Sequence, residues 1–254
     1  MKVTILGSGA AGGCPSISRG WGACDPADPR NRRRRPSILV EDAATRVLVD
    51  TSPDCREQLL EAGVRHLDAV LYTHDHADHL HGIDDLREVN RAMQAPLPIF
   101  ASAETMASIQ ARFPYVLGAV EDGQTIYKPM LVPVEISGPF RVGSLEVTPY
   151  DQDHGYCRTL GFRFGKFAYS TDVVNLPEGS FEALAGIDTW LVGCLSFDPH
   201  PTHAHLDKVL AWIERLKPRR AWLTHMTPSF DYEALKVSLP AHVQPAHDGL
   251  QISI

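Results

Sequence analysis

No stretch of this 254-residue chain approaches the roughly 18 consecutive apolar residues of a membrane-crossing helix, so no role within a membrane is expected. The opening MKVTILGSG runs straight into a strand pattern, without the apolar core and cleavage site of a secretory leader, and the cytoplasm is the expected compartment. Cysteine is scarce: Cys14, Cys24, Cys55, Cys157 and Cys194 are odd in number, scattered, and form no C-x-x-C pair. That excludes a disulfide framework and suits free thiols in a reducing compartment. Positive charge is short as well. A formal net charge of -7 argues against broad electrostatic binding to nucleic acid, and no stable nucleic-acid complex is expected. Linker-like, low-complexity and short-period repeat segments are all missing, so residues 1–254 are expected to form one domain.

What is present is alternation of strand and helix patterns. KVTILGSG, SILVED and TRVLVD read as strands that open a sheet. PDCREQLLEAG, with proline at its start and glycine at its end, reads as a short helix leading to the strand LDAVLYT. GIDDLREVNRAM and ETMASIQARF read as helices either side of the strand LPIFAS. The middle is strand after strand (MLVPVEI, LEVTPYD, LGFRFG, KFAYS). Alternation then returns through DTWLVGCL, the helix LDKVLAWIERLKP, RAWLTH, the helix DYEALKVSL and LQISI. Two such halves predict an α/β fold of two face-to-face sheets with helices outside, a four-layer αββα sandwich. The least regular segment, Gly7 to Pro36, is long for a structureless connection in a compact domain.

Histidine is the outlier in distribution. The stretch LYTHDHADHLHG, residues 71–82, holds four histidines and two aspartates in eight positions after an apolar run. His74, His76, Asp78 and His79 cannot all converge from a helix, where i and i+2 point apart, nor from an extended strand, where they spread over roughly 13 Å. A tight loop beyond a strand end lets them fold around one or two small cations. Imidazole and carboxylate ligands suit zinc, manganese or iron, and the lack of cysteine among them argues against a closed structural zinc site.

The motif H-x-H-x-D-H, present as HDHADH, resembles that of the metallo-β-lactamase superfamily, whose fold is the αββα sandwich. The resemblance implies further ligands downstream, each just past a strand: His154 in TPYDQDHG, Asp172 in FAYSTD and His225 in AWLTHMT. By this analogy His74, His76 and His154 hold one metal ion, Asp78, His79 and His225 a second, and Asp172 bridges the two. Asp50, in VLVDTSPD, takes a supporting place behind the ligands. The implied cofactors are two divalent ions, Zn2+ or Mn2+, and the implied nucleophile is a water they share and deprotonate.

Three further segments narrow the resemblance: GSGAAGGCPS after the first strand, the arginine-rich NRRRRPSILV, and HPTHAHLD ahead of LTH. They are similar to the branch containing the phosphoribosyl cyclic phosphate phosphodiesterases. That branch implies a non-ligand catalytic histidine at His203, with His205 a close competitor, and Asp78 acting beside it. The expected function is therefore metal-dependent hydrolysis of small cyclic phosphodiesters, cyclic ribosyl or nucleoside phosphates. Any of Arg32 to Arg35 could reach a substrate phosphate. The glycines Gly7, Gly9, Gly12 and Gly13 are expected to let backbone pass close to the metal loop. One departure from the branch stands out: its cysteine-bound structural zinc has no counterpart set here, where the loop carries Cys24 alone and Pro228 follows LTHMT. Alternatives are hydrolysis of a thioester or lactone, or a quinone-cofactor biosynthesis accessory role within the same superfamily. A homodimer is the default assembly.

Overall fold

In the computed structural model, which describes residues 1–120, 123 and 125–254, the strands form two seven-stranded mixed sheets, each drawn mainly from one half of the chain. The first half contributes β1 (Lys2–Gly7), β2 (Ser37–Glu41), β3 (Arg46–Val49), β4 (Ala69–Leu71), β5 (Leu97–Ala101) and β6 (Leu131–Glu135). β1 to β3 form an antiparallel meander, and β4 to β6 then add parallel to β3. Parallel addition requires a crossover. α1 (Cys55–Glu61), α2 (Ala77–Leu80), α3 (Leu86–Met93) and α4 (Ala103–Arg112) lie in those crossovers.

The second half repeats the scheme. β7 (Phe140–Val142), β8 (Leu145–Asp153), β9 (Arg158–Phe164) and β10 (Phe167–Ser170) are antiparallel neighbours. β11 (Thr189–Gly193), β12 (Arg220–Thr224) and β13 (Val243–Pro245) follow in parallel. Their crossovers carry α5 (Glu178–Leu184), α6 (Leu206–Leu216) and α7 (Tyr232–Ser238). The final strand, β14 (Gln251–Ser253), returns to pair antiparallel with β1.

Strand periodicity sorts the side chains into layers. Ile38 and Val40 of β2 and Val47 and Val49 of β3 point between the sheets, where they meet Phe162, Phe164, Phe167 and Trp222. Their neighbours Leu39 and Leu48 point outward to Leu59, Leu86 and Ile109 on α1, α3 and α4. In the second sheet, Ala168, Trp190, Val192 and Leu223 face Phe181, Val209, Ile213 and Leu235 on α5 to α7. The architecture is thus the four-layer αββα sandwich. Both faces of the central strands are covered, which is why SILV and VLV read as unbroken apolar runs rather than alternating ones.

The structure also departs from the sequence reading. β7, α5 and β13 are additional elements. In the histidine segment the loop ends at His76; the next four residues close one helical turn, α2, which carries Asp78 and His79. The glycine-rich opening packs closely on the arginine segment, and Gly9 also pairs in parallel with Met226, the residue after His225. A Cβ on Gly7 would lie 1.9 Å from the Arg35 carbonyl oxygen, and one on Gly9 would lie 3.0 Å from those of Arg33 and Arg34.

Phe162 is fully buried between the sheets. Phe162→Ala is expected to cost about 3–5 kcal/mol of unfolding free energy, read from urea denaturation monitored by circular dichroism; a loss below about 1 kcal/mol would contradict this packing.

Candidate metal centre

Parallel strands of both sheets end along one edge of the sandwich, and the chain turns sharply there. Asp50 just past β3, Asp172 just past β10 and His225 just past β12 have left-handed backbone, with φ of 64°, 48° and 57°. That conformation costs an L-residue roughly 1–2 kcal/mol, though Asp and His are among the types that tolerate it. All three residues are buried. β4 delivers the Thr73–His76 loop to the same edge, and β8 delivers His154.

The tautomers follow from a hydrogen-bond chain. Thr73 has a single hydroxyl proton and donates it to Asp50 Oδ2 at 2.8 Å, so its own Oγ1 accepts from His74 Nδ1 at 3.0 Å. His79 Nδ1 donates to Asp50 Oδ2 at 2.7 Å. His154 Nδ1 donates to the Thr202 carbonyl oxygen at 2.7 Å. Each bond fixes the proton on Nδ1 and leaves Nε2 turned toward the others. The buried Nε2 atoms of His74 and His79 have no hydrogen-bond partner among the described residues.

Those nitrogens surround Asp172, whose two oxygens divide them. Oδ2 lies 3.7 Å from His74 Nε2 and 3.4 Å from His154 Nε2. Oδ1 lies 3.1 Å from His79 Nε2 and 3.0 Å from His225 Nε2. Asp78 Oδ2 closes the second group, 3.3 Å from His79 and 3.4 Å from His225. His76 closes the first, its Nδ1 3.3 Å from His154 Nε2. The ligand atoms of His74, His76, His154 and Asp172 lie within 4.8 Å of one another, as do those of Asp78, His79, Asp172 and His225. Orphaned imidazole lone pairs aimed at shared carboxylates form a donor set that suits divalent cations such as zinc or manganese.

Without a cation, protons compensate the carboxylates. Burial pushes the Asp172 carboxyl up, but the imidazoles of His225 and His79 hold it well below the usual carboxylate range. His225 is depressed by burial yet lifted by Asp172 and Asp78 to about 9. Burial also opposes the charge on His79, and Asp172, Asp78 and Asp50 together raise it well above an ordinary imidazole. His203 moves the other way, to about 4, because burial outweighs its hydrogen bond to Asp172.

His203 Nε2 lies 3.2 Å from Asp172 Oδ2, and its ring stacks on that of His225 with centroids 5.0 Å apart. His205 is instead the residue that precedes α6, outside the cavity that His203 lines. The arginines do not reach the centre. Arg33 is buried and donates to the carbonyls of Phe230 (2.5 Å) and Thr227 (3.3 Å). Arg34 pairs with Asp248 and Glu61, and Arg35 with Asp54. Arg32 is exposed, its guanidinium 5.2 Å from the centre of the Trp21 ring. In the loop where the related branch has its cysteine cluster, Cys24 Sγ contacts the Phe230 carbonyl at 3.2 Å beside the Arg33 guanidinium. Thr73 and Thr202, which orient three of the imidazoles, carry no motif of their own; their only signal in the sequence is adjacency to His74 and His203.

A family model described as a beta-lactamase superfamily domain matches residues 45–226. The chain belongs to the metallo-β-lactamase superfamily. Within it the chain is similar to the PhnP-like branch. A diphosphatase of the PhnP family superimposes with a TM-score of 0.91 at 34% identity, covering 99% of this chain and 96% of that one. Zn(2+)-bound PqqB from Methylobacterium extorquens shares the fold, with a TM-score of 0.80, 22% identity and complete coverage of both chains. An octanoyltransferase from Porphyromonas gingivalis is 32% identical over 100% of this chain and 52% of its own length. The chain thus spans about half the length of the curated relatives it matches.

A divalent cation entering this superfamily site must displace the protons that the carboxylates hold on His79 and His225. Titration with Zn2+ at pH 7 is expected to release protons, seen as buffer-dependent heats in calorimetry. Because the site must be deprotonated to bind, affinity is expected to rise with pH toward about 9, the value of His225. Heats independent of the buffer would contradict the charge arrangement.

Proposed function

We propose that the chain is a dinuclear metal-dependent phosphodiesterase acting on small cyclic phosphodiesters, cyclic ribosyl or nucleoside phosphates. The observation that carries this reading is the Asp172 carboxylate, which offers one oxygen to each of two imidazole groups while His203 stands beside it. His74, His76 and His154 would hold one ion and Asp78, His79 and His225 the other, with Asp172 available to both; zinc or manganese suits these donors. Asp50 orients His79 and, through Thr73, His74. Two such ions acidify water and neutralise charge that builds on phosphoryl oxygens. The similarity to a PhnP-family diphosphatase supports phosphorus–oxygen chemistry over other bonds.

The chain's own part is orientation and proton movement. His203 keeps Nδ1 2.8 Å from the Thr202 hydroxyl and directs Nε2 into the centre. Its low proton affinity belongs to the substrate-free site. An arriving phosphodiester adds negative charge and lifts that affinity, so Nε2 can carry the proton that the departing alkoxide needs. His200, exposed at the rim, has its Nδ1 3.3 Å from His203 Nδ1.

A second reading, hydrolysis of an acyl thioester, is suggested by the match of this whole chain to part of the Porphyromonas gingivalis octanoyltransferase. That match covers half of the relative, so the name describes more protein than is shared. Protein loaded with Mn2+ or Zn2+ is expected to turn over bis(p-nitrophenyl) phosphate and nucleoside 2′,3′-cyclic phosphates in preference to an acyl thioester or a lactone. His203→Ala is expected to lower kcat roughly 10²–10⁴-fold with metal content unchanged by elemental analysis. Preferred thioester cleavage would overturn the substrate class, equal turnover in the variant would remove His203 from the mechanism, and nucleotide binding without turnover would favour the accessory role.

A further inference from the structure

Two side chains of the histidine-rich segment take no part in the metal centre. Of its four histidines and two aspartates, His74, His76, Asp78 and His79 belong to the two ligand groups, which leaves Asp75 and His81. Both meet a single residue, Arg112, the last of α4. Its Nη1 donates to the Asp75 carbonyl oxygen at 2.6 Å and to Asp75 Oδ2 at 3.3 Å, and its Nη2 donates to His81 Nε2. Ser108, one turn earlier on the same face of α4, donates its hydroxyl to Asp75 Oδ2 at 2.5 Å. The helix that carries both residues is anchored by buried Thr105 and Ile109, and Ser102 caps it by accepting from the Thr105 amide at 3.2 Å. A guanidinium is a rigid planar donor that serves several acceptors at once. Here it bridges the two sides of α2, the residue before His76 and the residue after Leu80.

The consequence falls on His76. In the first ligand group the other two imidazoles are oriented from behind, His74 by the Thr73 hydroxyl and His154 by the Thr202 carbonyl. The His76 ring has no comparable anchor among the described residues. Its Nδ1 faces His154 Nε2 at 3.3 Å, and its Nε2 lies 4.0 Å from Cys157 Sγ, a length that holds a ring weakly. Its place is therefore set by the main chain. The Thr73 carbonyl accepts from the Leu160 amide, and the His76 carbonyl accepts from the amides of His79 and Leu80. Between those two carbonyls, the Arg112 bond to Asp75 is the only hydrogen bond to main chain among the described residues. The Arg112 and Asp75 side chains are 35% and 37% exposed, and exposed pairs add little to global stability. The effect of this one is local.

We propose that Arg112 is a positioning residue for the metal centre: from outside the centre it fixes the main chain at Asp75, so that His76 is presented to the ion it shares with His74 and His154. The inference rests on the two-ion reading of the centre and is independent of the substrate.

Calorimetric titration with Zn2+ at constant pH tests it, on chelator-stripped protein and on Arg112→Ala, His76→Ala and the double variant. The unsubstituted protein is expected to bind two ions. Arg112→Ala is expected to weaken one of them roughly 10- to 100-fold and to shift the other by no more than about twofold. His76→Ala is expected to weaken the same ion. In that background, removing Arg112 is expected to leave the remaining ion within about twofold of its affinity in His76→Ala alone, because a residue that acts through His76 has nothing left to act on. If circular dichroism shows that Arg112→Ala does not fold, Arg112→Lys, which keeps the charge and loses the planar fork, carries the same comparison. Unchanged affinity for both ions, equal weakening of both, or weakening of the remaining ion in the double variant overturns this inference while leaving the two-ion centre standing. Fewer than two ions bound by the unsubstituted protein overturns both.

Discussion

Five imidazole nitrogens, from His74, His79, His154, His203 and His225, lie between 3.0 and 3.7 Å from the carboxylate of Asp172. A buried carboxylate surrounded in this way is stable only while positive charge is present, as protons or as metal. The architecture can be understood as the means of holding that cluster together. Two sheets contribute strands whose ends meet at one edge, left-handed turns at Asp50, Asp172 and His225 stop three of them there, and a fully packed inter-sheet core prevents the ends from separating. Asp50, itself buried and pushed upward by burial, is held in place by Thr73 and His79, so the order extends one layer behind the cluster.

Strands covered on both faces left long apolar runs in the sequence, and the crossovers between parallel strands left amphipathic segments; this is why the layers were legible without coordinates. Where elements were missed, the reason is length. α5 turns only Phe181 and Leu184 with Ser180 into the interior across seven residues, too short for a helical period to be counted. β7 and β13 are three residues each, below the span in which alternation separates a strand from a turn.

At the centre, the histidine segment advertised itself by density, whereas His154, Asp172 and His225 became visible only through the resemblance. Each is a single polar residue after a strand, indistinguishable by itself from a turn residue. One helical turn at Ala77–Leu80 resolves the geometric difficulty of the motif: the loop half supplies His74 and His76 to one group, and the helical half supplies Asp78 and His79 to the other. Spacing could not separate His203 from His205, because two positions lie between them; in the fold His203 Nε2 faces Asp172, whereas His205 precedes α6. The arginine run was ambiguous for a related reason. Its members alternate in direction, and what each meets is set by residues as remote as Phe230 and Asp248.

Arg33 ties the loop after the first strand to the far end of the chain. Its buried guanidinium, bonded to carbonyls of the segment after His225, joins that segment to the loop after the first strand, with Asn31 bonding Asp231 and the Tyr232 amide alongside. The connection between the loop and the segment after His225 is thus kept by fixed charge and hydrogen bonds.

Anomalous diffraction at the metal edge, from crystals of Mn2+- or Zn2+-loaded protein, tests the central claim most directly. The expected result is two peaks about 3.5–4 Å apart, one beside each oxygen of Asp172. A single peak, or a pair that Asp172 does not touch, would contradict the account.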